Sequence, residues 1–222
     1  AGMEDTGGII GPLLGPAIPK DKDDAVEPDG FTPPPSLEYE TLEMDLPVGF
    51  LRLRWAILHS PSKFRKDAVW LGAANFQNIT QGEWSKYNDA IGLPELPEGI
   101  TNNDIIGAEM QNSYLMPKSA FVNALMSYET GTITEYNDYC FCVKQQAQTP
   151  DAPYGKTFLA WTQYMFINTG NNSCRMVCSV EAEFPNGPPM VGRQIKSAMR
   201  TGTTEQFVIF GEAVCKYADE YP

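Results

Sequence analysis

The feature that most limits the fold is the stretch TFLAWTQYMFINTGNNSC at residues 157–174, which has no charged side chain in a chain with a formal net charge of -12. A membrane-spanning helix needs about 20 predominantly apolar residues, and Thr162, Gln163 and Asn168 interrupt the apolar series. The aromatic and β-branched residues favour a strand over a helix. The stretch therefore predicts a strand, and the NTGNNS at its end predicts a turn.

Both faces of this predicted strand are apolar. The residues of one face alternate with those of the other: Leu159, Trp161, Met165 and Ile167 against Phe158, Ala160, Tyr164 and Phe166. A strand of this kind must be covered on each side. We expect the protein core on one side and the N-terminal segment, or another protein, on the other.

Residues 1–47 have the composition of an extended arm. They contain eight prolines, and eleven acidic residues against two lysines give them a net charge of -9. Such a segment cannot form a core alone, and ordering it costs about 1–2 kcal/mol per residue. It is either a solvated linker or a docking strap, and we favour the strap. Its expected contacts are Ile9, Ile10, Leu13, Leu14 and Ile18.

Residues 48–222 have the composition of one globular domain, with a charge of -3. This balance argues against a nucleic-acid partner, because phosphate binding depends on Lys and Arg. Five cysteines without a CxxC pair indicate buried thiols rather than a disulfide framework or a zinc site. We therefore expect no metal and no cofactor. No run is long and apolar enough for a transmembrane segment.

The first part of this domain predicts a helix followed by antiparallel strands. In HSPSKFRKDAVWLGAANF, Ser60 suits the N-cap and Pro61 the first helical position, with one face formed by residues 64, 68, 71 and 75. GLPELPEGITNND predicts a loop. Period-two alternation then predicts strands in GAEMQNSYLMP, in GTITEYNDYCFCVKQQAQ and in SCRMVCSVEAEF, the last with a buried face and a wet face.

The C-terminal residues 188–221 return to helical spacing and predict one long helix, with Gly202 as a bend. Its apolar stripe comprises Val191, Ile195, Ala198, Met199, Gly202, Ile209 and Val214. Arg193, Lys196 and Arg200 share another face and are expected to contact an anionic surface, or to form an ordinary solvated row. This order of elements predicts an α+β helix-grip fold, in which a curved antiparallel sheet surrounds the last helix.

Individual segments carry a more specific likeness. They are Tyr114 and Pro117-Lys118 at a strand end, the turn at 150–155, Cys174 opening a strand, and Gly192 with Ile195-Lys196 entering the last helix. In these segments the sequence resembles the VASt domain, a relative of the StAR-related lipid-transfer domains, over about residues 48–218. The resemblance implies a START-like fold that binds a sterol or similar lipid.

A helix-grip fold can enclose an apolar cavity. The expected lining of that cavity is Trp161, Met165, Met176, Met190, Ile195, Met199 and Phe207, each of which singly also fits an ordinary core. Catalysis is not expected: His59 is the only histidine, and it lies at a predicted helix start. Glu181 and Glu183 share a wet strand face, where solvated carboxylates are the simpler interpretation.

Two functions remain open from the sequence. The first is a non-enzymatic, VASt-type domain that binds a hydrophobic ligand. The alternative is a structural accessory subunit of a larger organellar membrane complex, docked to a protein partner through residues 1–47. Both place the protein beside a membrane or in an organelle after removal of a targeting peptide, with peripheral rather than transmembrane association.

Overall fold

The computed structural model describes residues 31–118 and 123–220. The elements, in chain order, are β1 (Tyr39–Leu46), α1 (Phe50–Leu58), a π-helix (Phe64–Ala73), β2 (Gln77–Gln81), α2 (Asn102–Ile105), β3 (Glu109–Met116), β4 (Leu125–Tyr136), β5 (Cys140–Gln148), β6 (Leu159–Gly170), β7 (Ser173–Glu183) and α3 (Gly192–Glu220). The seven strands form one antiparallel sheet in the order β1-β7-β6-β5-β4-β3-β2. This curved sheet with a long C-terminal helix confirms the predicted helix-grip fold.

The sheet is built almost entirely from strands that are neighbours in the chain, because β2 to β6 each pair with the next strand. The turn predicted from NTGNNS is a two-residue loop between the paired residues Gly170 and Ser173. Asn171 and Asn172 have φ of 53° and 56°, the left-handed conformation that matches the twist of a tight hairpin. The uncharged stretch at residues 157–174 therefore contains strand β6 and the turn after it, as predicted.

The folded domain begins before residue 48. Residues 39–46, which the sequence analysis assigned to the arm, form β1 and pair with β7 from Tyr39↔Val180 to Leu46↔Cys174. Proline clustering marked the arm, but the last proline-free segment before Pro47 has period-two spacing in Leu42, Met44 and Leu46 and completes the sheet edge. The boundary at residue 47 was therefore placed too late.

The inner face of β6 forms the main core. Tyr164 and Phe166 lie 6.1 Å and 6.0 Å, between ring centroids, from Phe207 and Phe210 of α3. Phe141 of the neighbouring strand stacks on Phe166 at 4.7 Å. Helix α3 thus packs its aromatic residues directly on β6, an interior strand of the sheet.

The outer face of β6 is covered by residues 31–38, which we call the strap. Gln163 Nε2 donates to the Pro35 carbonyl at 3.0 Å, and the Leu37 amide donates to Ser179 Oγ at 2.9 Å. Phe31 packs against a second apolar cluster. That cluster is formed by Cys140, Cys142, Met165 and Val177. The chain itself therefore provides the second cover that β6 requires.

The prediction of a solvent-exposed face on β7 is wrong where the strap covers that strand. Val177 and Ser179, predicted on a wet face, are 9% and 1% exposed, because the strap lies over them. The five expected docking residues, Ile9, Ile10, Leu13, Leu14 and Ile18, lie outside the described residues.

The helix predicted from Ser60 begins later and winds differently. Ser60 donates to Asn88 Oδ1 instead of capping a helix, and the π-helix begins at Phe64 with i→i+5 bonds such as Ala74 N to Val69 O at 2.7 Å. Wider turns shift the buried face away from the 3.6-residue period. Leu71, predicted on that face, is 55% exposed.

Helix α3 is a single element through Gly202, and only its second half is packed on the core. Phe207, Phe210 and Val214 belong to or contact the main cluster, whereas Ile195 and Met199 do not. Ala198, predicted on the apolar stripe, is exposed. At Gly211 the helix approaches β1 so closely that an added Cβ would collide with Met44 Sδ, which explains a glycine in the buried half of the helix.

We expect the strap to protect the thiols of Cys140 and Cys142 from alkylation. Phe31→Ala should lower the free energy of unfolding by about 1–2 kcal/mol, less than the 3–5 kcal/mol of a fully buried Phe because Phe31 is half-buried. It should also speed alkylation of Cys140 and Cys142, read by peptide mass spectrometry. Tyr128→Ala, an outer-face side chain that is 50% exposed, is the control. Equal alkylation in both variants would contradict the strap's role.

Candidate functional site

The inner face of the sheet has a packed half and an open half. In the packed half, Ile133, Phe141 and Met176 are fully buried. In the open half, nearer the N-terminus of α3, inner-face residues of β5 and β6 are only half-buried. They are Gln145, Ala147, Ala160 and Thr162, and the strand register places all four on the same face as Val143 and Tyr164. Small and polar side chains on this half thus remain partly exposed.

The first half of α3 lies beside the open half. Ile195, Met199 and Thr203 are half-buried, and Met199 lines a shallow cleft with Val180 and Ala182 of β7. Phe207 marks the end of this region, because it contacts Tyr164 and the packed core. The open half is therefore bordered by an apolar helix face on one side and by the packed core at its end.

A group of polar side chains, which we call the polar cluster, meets at the same inner face: Asn112, Tyr114, Glu129 and Tyr164 from the sheet and Arg65 from the π-helix. Asn112 and Glu129 are directly opposed across β3 and β4. The Tyr114 hydroxyl donates to Glu129 Oε1, and Gln145 Nε2 donates to Glu129 Oε2 at 3.3 Å. The cluster is therefore continuous with the open half through Gln145.

Arg65 is the charged partner that the π-helix contributes to the polar cluster. It is 6% exposed, and its guanidinium carbon lies 4.9 Å from the Trp70 ring centroid. Trp70 and Phe76 both contact Tyr114, and the Phe76 ring is stacked on it at 4.3 Å. Aromatic packing thus fixes Arg65 and Tyr114 in place from the π-helix side.

Burial shifts the acid–base properties of the polar cluster. Desolvation raises the pKa of the Glu129 carboxyl, although the Tyr114 hydrogen bond and the Arg65 charge oppose this shift. Desolvation, followed by the Glu129 charge, raises the pKa of Tyr114. Burial raises the pKa of Tyr164 to about 12 despite the Arg65 charge. Both tyrosines are therefore neutral hydroxyls at physiological pH.

Two hydrogen-bond donors of the polar cluster are unsatisfied. Arg65 Nε and Asn112 Nδ2 are buried and have no hydrogen-bond partner among the described residues. Leaving a buried donor unpaired costs about 1–3 kcal/mol, and such groups in native proteins call for an explanation. An acceptor atom of a bound molecule would remove this cost.

The predicted cavity lining is not brought together as a set. Trp161 and Met165 lie on the outer face; Trp161 donates to Glu183 and Met165 packs under the strap. Met190 is fully exposed. Met176 is fully buried in the packed half. Ile195, Met199 and Phe207 remain as helix residues beside the open half.

Reasoning from the sequence did not identify the polar cluster as a site. Neither Arg65 nor Glu129 was singled out as a candidate site residue. The available signal was in β3, where period-two spacing puts Asn112 on the same buried face as Met110 and Tyr114. A polar amide on a buried face indicates a polar site.

The predicted anionic-surface residues lie on α3 as expected, but Lys196 is paired. Its Nζ contacts both Glu38 oxygens, at 2.7 Å and 2.6 Å. Arg200 lies over the Tyr39 ring, with its guanidinium carbon 4.6 Å from the centroid. Arg193 is exposed. Part of the acidic arm therefore folds onto this basic row.

Features typical of a catalytic or metal site are sparse in the described residues. His59 Nδ1 is 2.9 Å from the Ile91 carbonyl, and its ring packs on Trp55. No group of three or more metal-ligating side chains occurs in residues 31–118 and 123–220. Within the same ranges, no helix has both the length and the hydrophobicity to cross a bilayer.

Comparison with known families identifies the fold's relatives. The model of the VAD1 Analog of StAR-related lipid transfer domain, VASt, matches residues 41–205. The chain belongs to the VASt domain family. Members of this family are START-like, so lipid binding is the general property that membership indicates. The VASt match begins within β1 and ends within α3, and it includes every residue of the polar cluster.

Other comparisons add little. A solved structure, the conserved protein from Geobacillus kaustophilus, is similar with a TM-score of 0.41 and 8% identity over 78% of this chain and 93% of that one. No curated protein matches the sequence significantly.

The raised pKa of Glu129 predicts a pH dependence of stability. Because the folded state binds this proton more tightly than the unfolded state, the contribution of Glu129 to stability falls as the pH rises from about 4.5 through the folded pKa. Glu129→Gln should remove this slope. Urea unfolding between pH 4.5 and 8 measures it, with the exposed Glu205→Gln as control. Parallel curves for wild type and Glu129→Gln would contradict the assignment.

Proposed function

We propose that this VASt domain binds a lipid between the open half of the sheet and the first half of α3, with the oxygen-bearing end of the ligand at the polar cluster. The unsatisfied donors of Arg65 and Asn112 are the observation that carries the proposal. Small inner-face side chains provide room beside them, and family membership favours a hydrophobic ligand.

The chemistry of the polar cluster favours a hydroxyl group. Arg65 and Asn112 offer donors, whereas the carboxyl oxygens of Glu129 offer acceptor positions. A hydroxyl can accept from the first two and donate to the third. A sterol or another lipid alcohol, with one hydroxyl and an otherwise apolar body, fits this arrangement better than a fatty acid, whose carboxylate would lie beside Glu129.

Binding without catalysis is the proposed mode of action. Glu129 and the two tyrosines are engaged with one another and with Arg65, and no histidine or cysteine lies in the polar cluster. Its residues can orient a hydroxyl but offer no activated nucleophile.

The accessory-subunit alternative loses one of its reasons. It rested partly on the doubly apolar β6, and residues 31–38 of the same chain already cover the outer face of that strand. A protein partner for residues 1–30 is a separate proposal that deletion of those residues and a pull-down would test.

Filling the open half should abolish ligand binding. Ala160→Phe adds bulk at an inner-face position, whereas Thr130→Phe adds bulk to the outer face and is the matched control. Native mass spectrometry after incubation with cholesterol should detect one bound molecule in wild type and Thr130→Phe, and none in Ala160→Phe. Retained binding in a folded Ala160→Phe variant would exclude this location.

The polar cluster should distinguish a sterol from its deoxy analogue. Wild type should bind cholesterol roughly tenfold more tightly than 5α-cholestane, because the analogue leaves buried donors unpaired. Asn112→Leu should reduce this ratio by removing one such donor. Competition against a fluorescent sterol measures both affinities. Equal affinities in wild type would show that the hydroxyl is not recognised here.

A further inference from the structure

The first turns of α3 combine a basic row with an exposed apolar residue. Arg193, Lys196 and Arg200 follow one another at spacings of three and four, which places them on one helix face. Met190 is 102% exposed three residues before Arg193. A cationic row next to an exposed apolar side chain is the arrangement that lets a helix start lie on a lipid surface.

In the described structure the basic row is not free to bind an anionic surface, because the strap contacts its middle residue, Lys196. Glu38 contacts Lys196 Nζ through both carboxylate oxygens, and the next residue, Tyr39, lies under Arg200 and 5.8 Å from Lys196 Nζ. A carboxylate therefore sits where an anionic headgroup would bind the lysine.

We propose that Met190 and the basic row of α3 dock on an anionic membrane surface, and that Glu38 is a built-in competitor for Lys196. Docking replaces the Glu38 carboxylate by lipid phosphate or carboxylate groups. The strap thus limits membrane binding to surfaces with enough negative charge to displace it.

The energetic balance allows such an exchange. The Lys196 and Glu38 side chains are 31% and 35% exposed, and exposed ion pairs change an equilibrium constant by at most about fivefold. Each Lys or Arg near an anionic leaflet raises the membrane-binding constant by about fivefold. Because the chain has a net charge of -12, the protein as a whole is repelled from such a leaflet. A local basic row is therefore needed for docking.

The proposal is independent of the interior ligand, since vesicle binding can be measured without lipid uptake. The probe is sedimentation of the full chain with phosphatidylcholine vesicles, with and without 30% phosphatidylserine. Glu38→Gln should raise the affinity for the anionic vesicles roughly two- to fivefold, the factor that corresponds to an exposed ion pair. Binding to pure phosphatidylcholine should stay unchanged.

Two controls separate the competitor from overall charge. Asp45→Asn makes the same charge change in β1 and breaks the 3.0 Å ion pair with Arg175, so it should leave vesicle binding near wild type. Glu38→Gln combined with Lys196→Gln should lose the gain. Equal gains in Glu38→Gln and Asp45→Asn, or no gain in either, would overturn the proposal. Glu38→Ala provides the second variant if Glu38→Gln lowers the Tm.

Discussion

Strand β6 must be covered on both of its faces, and the rest of the structure follows from this requirement. Burial stabilises by roughly 25 cal/mol per Å² of apolar surface, so an exposed face carrying Met165 and Ile167 would be costly. The inner face is covered by Phe207 and Phe210 of α3. The outer face is covered by the strap. The N-terminal and C-terminal parts of the chain therefore close the domain on the same strand.

The size of the inner-face side chains differs between the packed half and the open half of the sheet. In the packed half, Phe141, Phe166 and Met176 fill the space under the second half of α3. In the open half, Ala160 and Thr162 are smaller and only half-buried. The first half of the helix consequently lacks core contacts, and Lys196 instead reaches Glu38. A ligand in the open half would provide the apolar contacts that the sheet does not.

Much of the fold was predictable because strand periodicity needs no tertiary information. Alternation identified β3 and β7, and the uncharged stretch identified β6. Alternation also separated Met165 from Tyr164, but it could not tell which face met the helix, since both faces of β6 are apolar. Because of that ambiguity, the sequence analysis assigned Trp161 and Met165 to the cavity. In the structure both side chains lie on the outer face.

The polar cluster was harder to predict, because its charge enters from a helix of unusual winding. Arg65 follows a serine-proline pair that favours an ordinary α-helix, in which a charged residue next to Lys66 is expected at the surface. The i→i+5 winding and the contact with Trp70 bury it instead. Tertiary packing, which a single sequence does not contain, decided this position.

The strap is one continuous segment that contacts the outer apolar cluster at one end and the basic row of α3 at the other. Phe31 lies against Cys140 and Cys142 at the base of β5, whereas Glu38 lies against α3. Only six residues lie between Phe31 and Glu38, and Pro35 and Leu37 hold the backbone between them to β6 and β7. Removing the whole strap from the sheet would therefore require breaking these hydrogen bonds and the apolar contacts of Phe31. Separating Glu38 from Lys196 requires only their exposed ion pair to break. The start of α3 can therefore bind another anionic group while the strap stays on the outer face of the sheet.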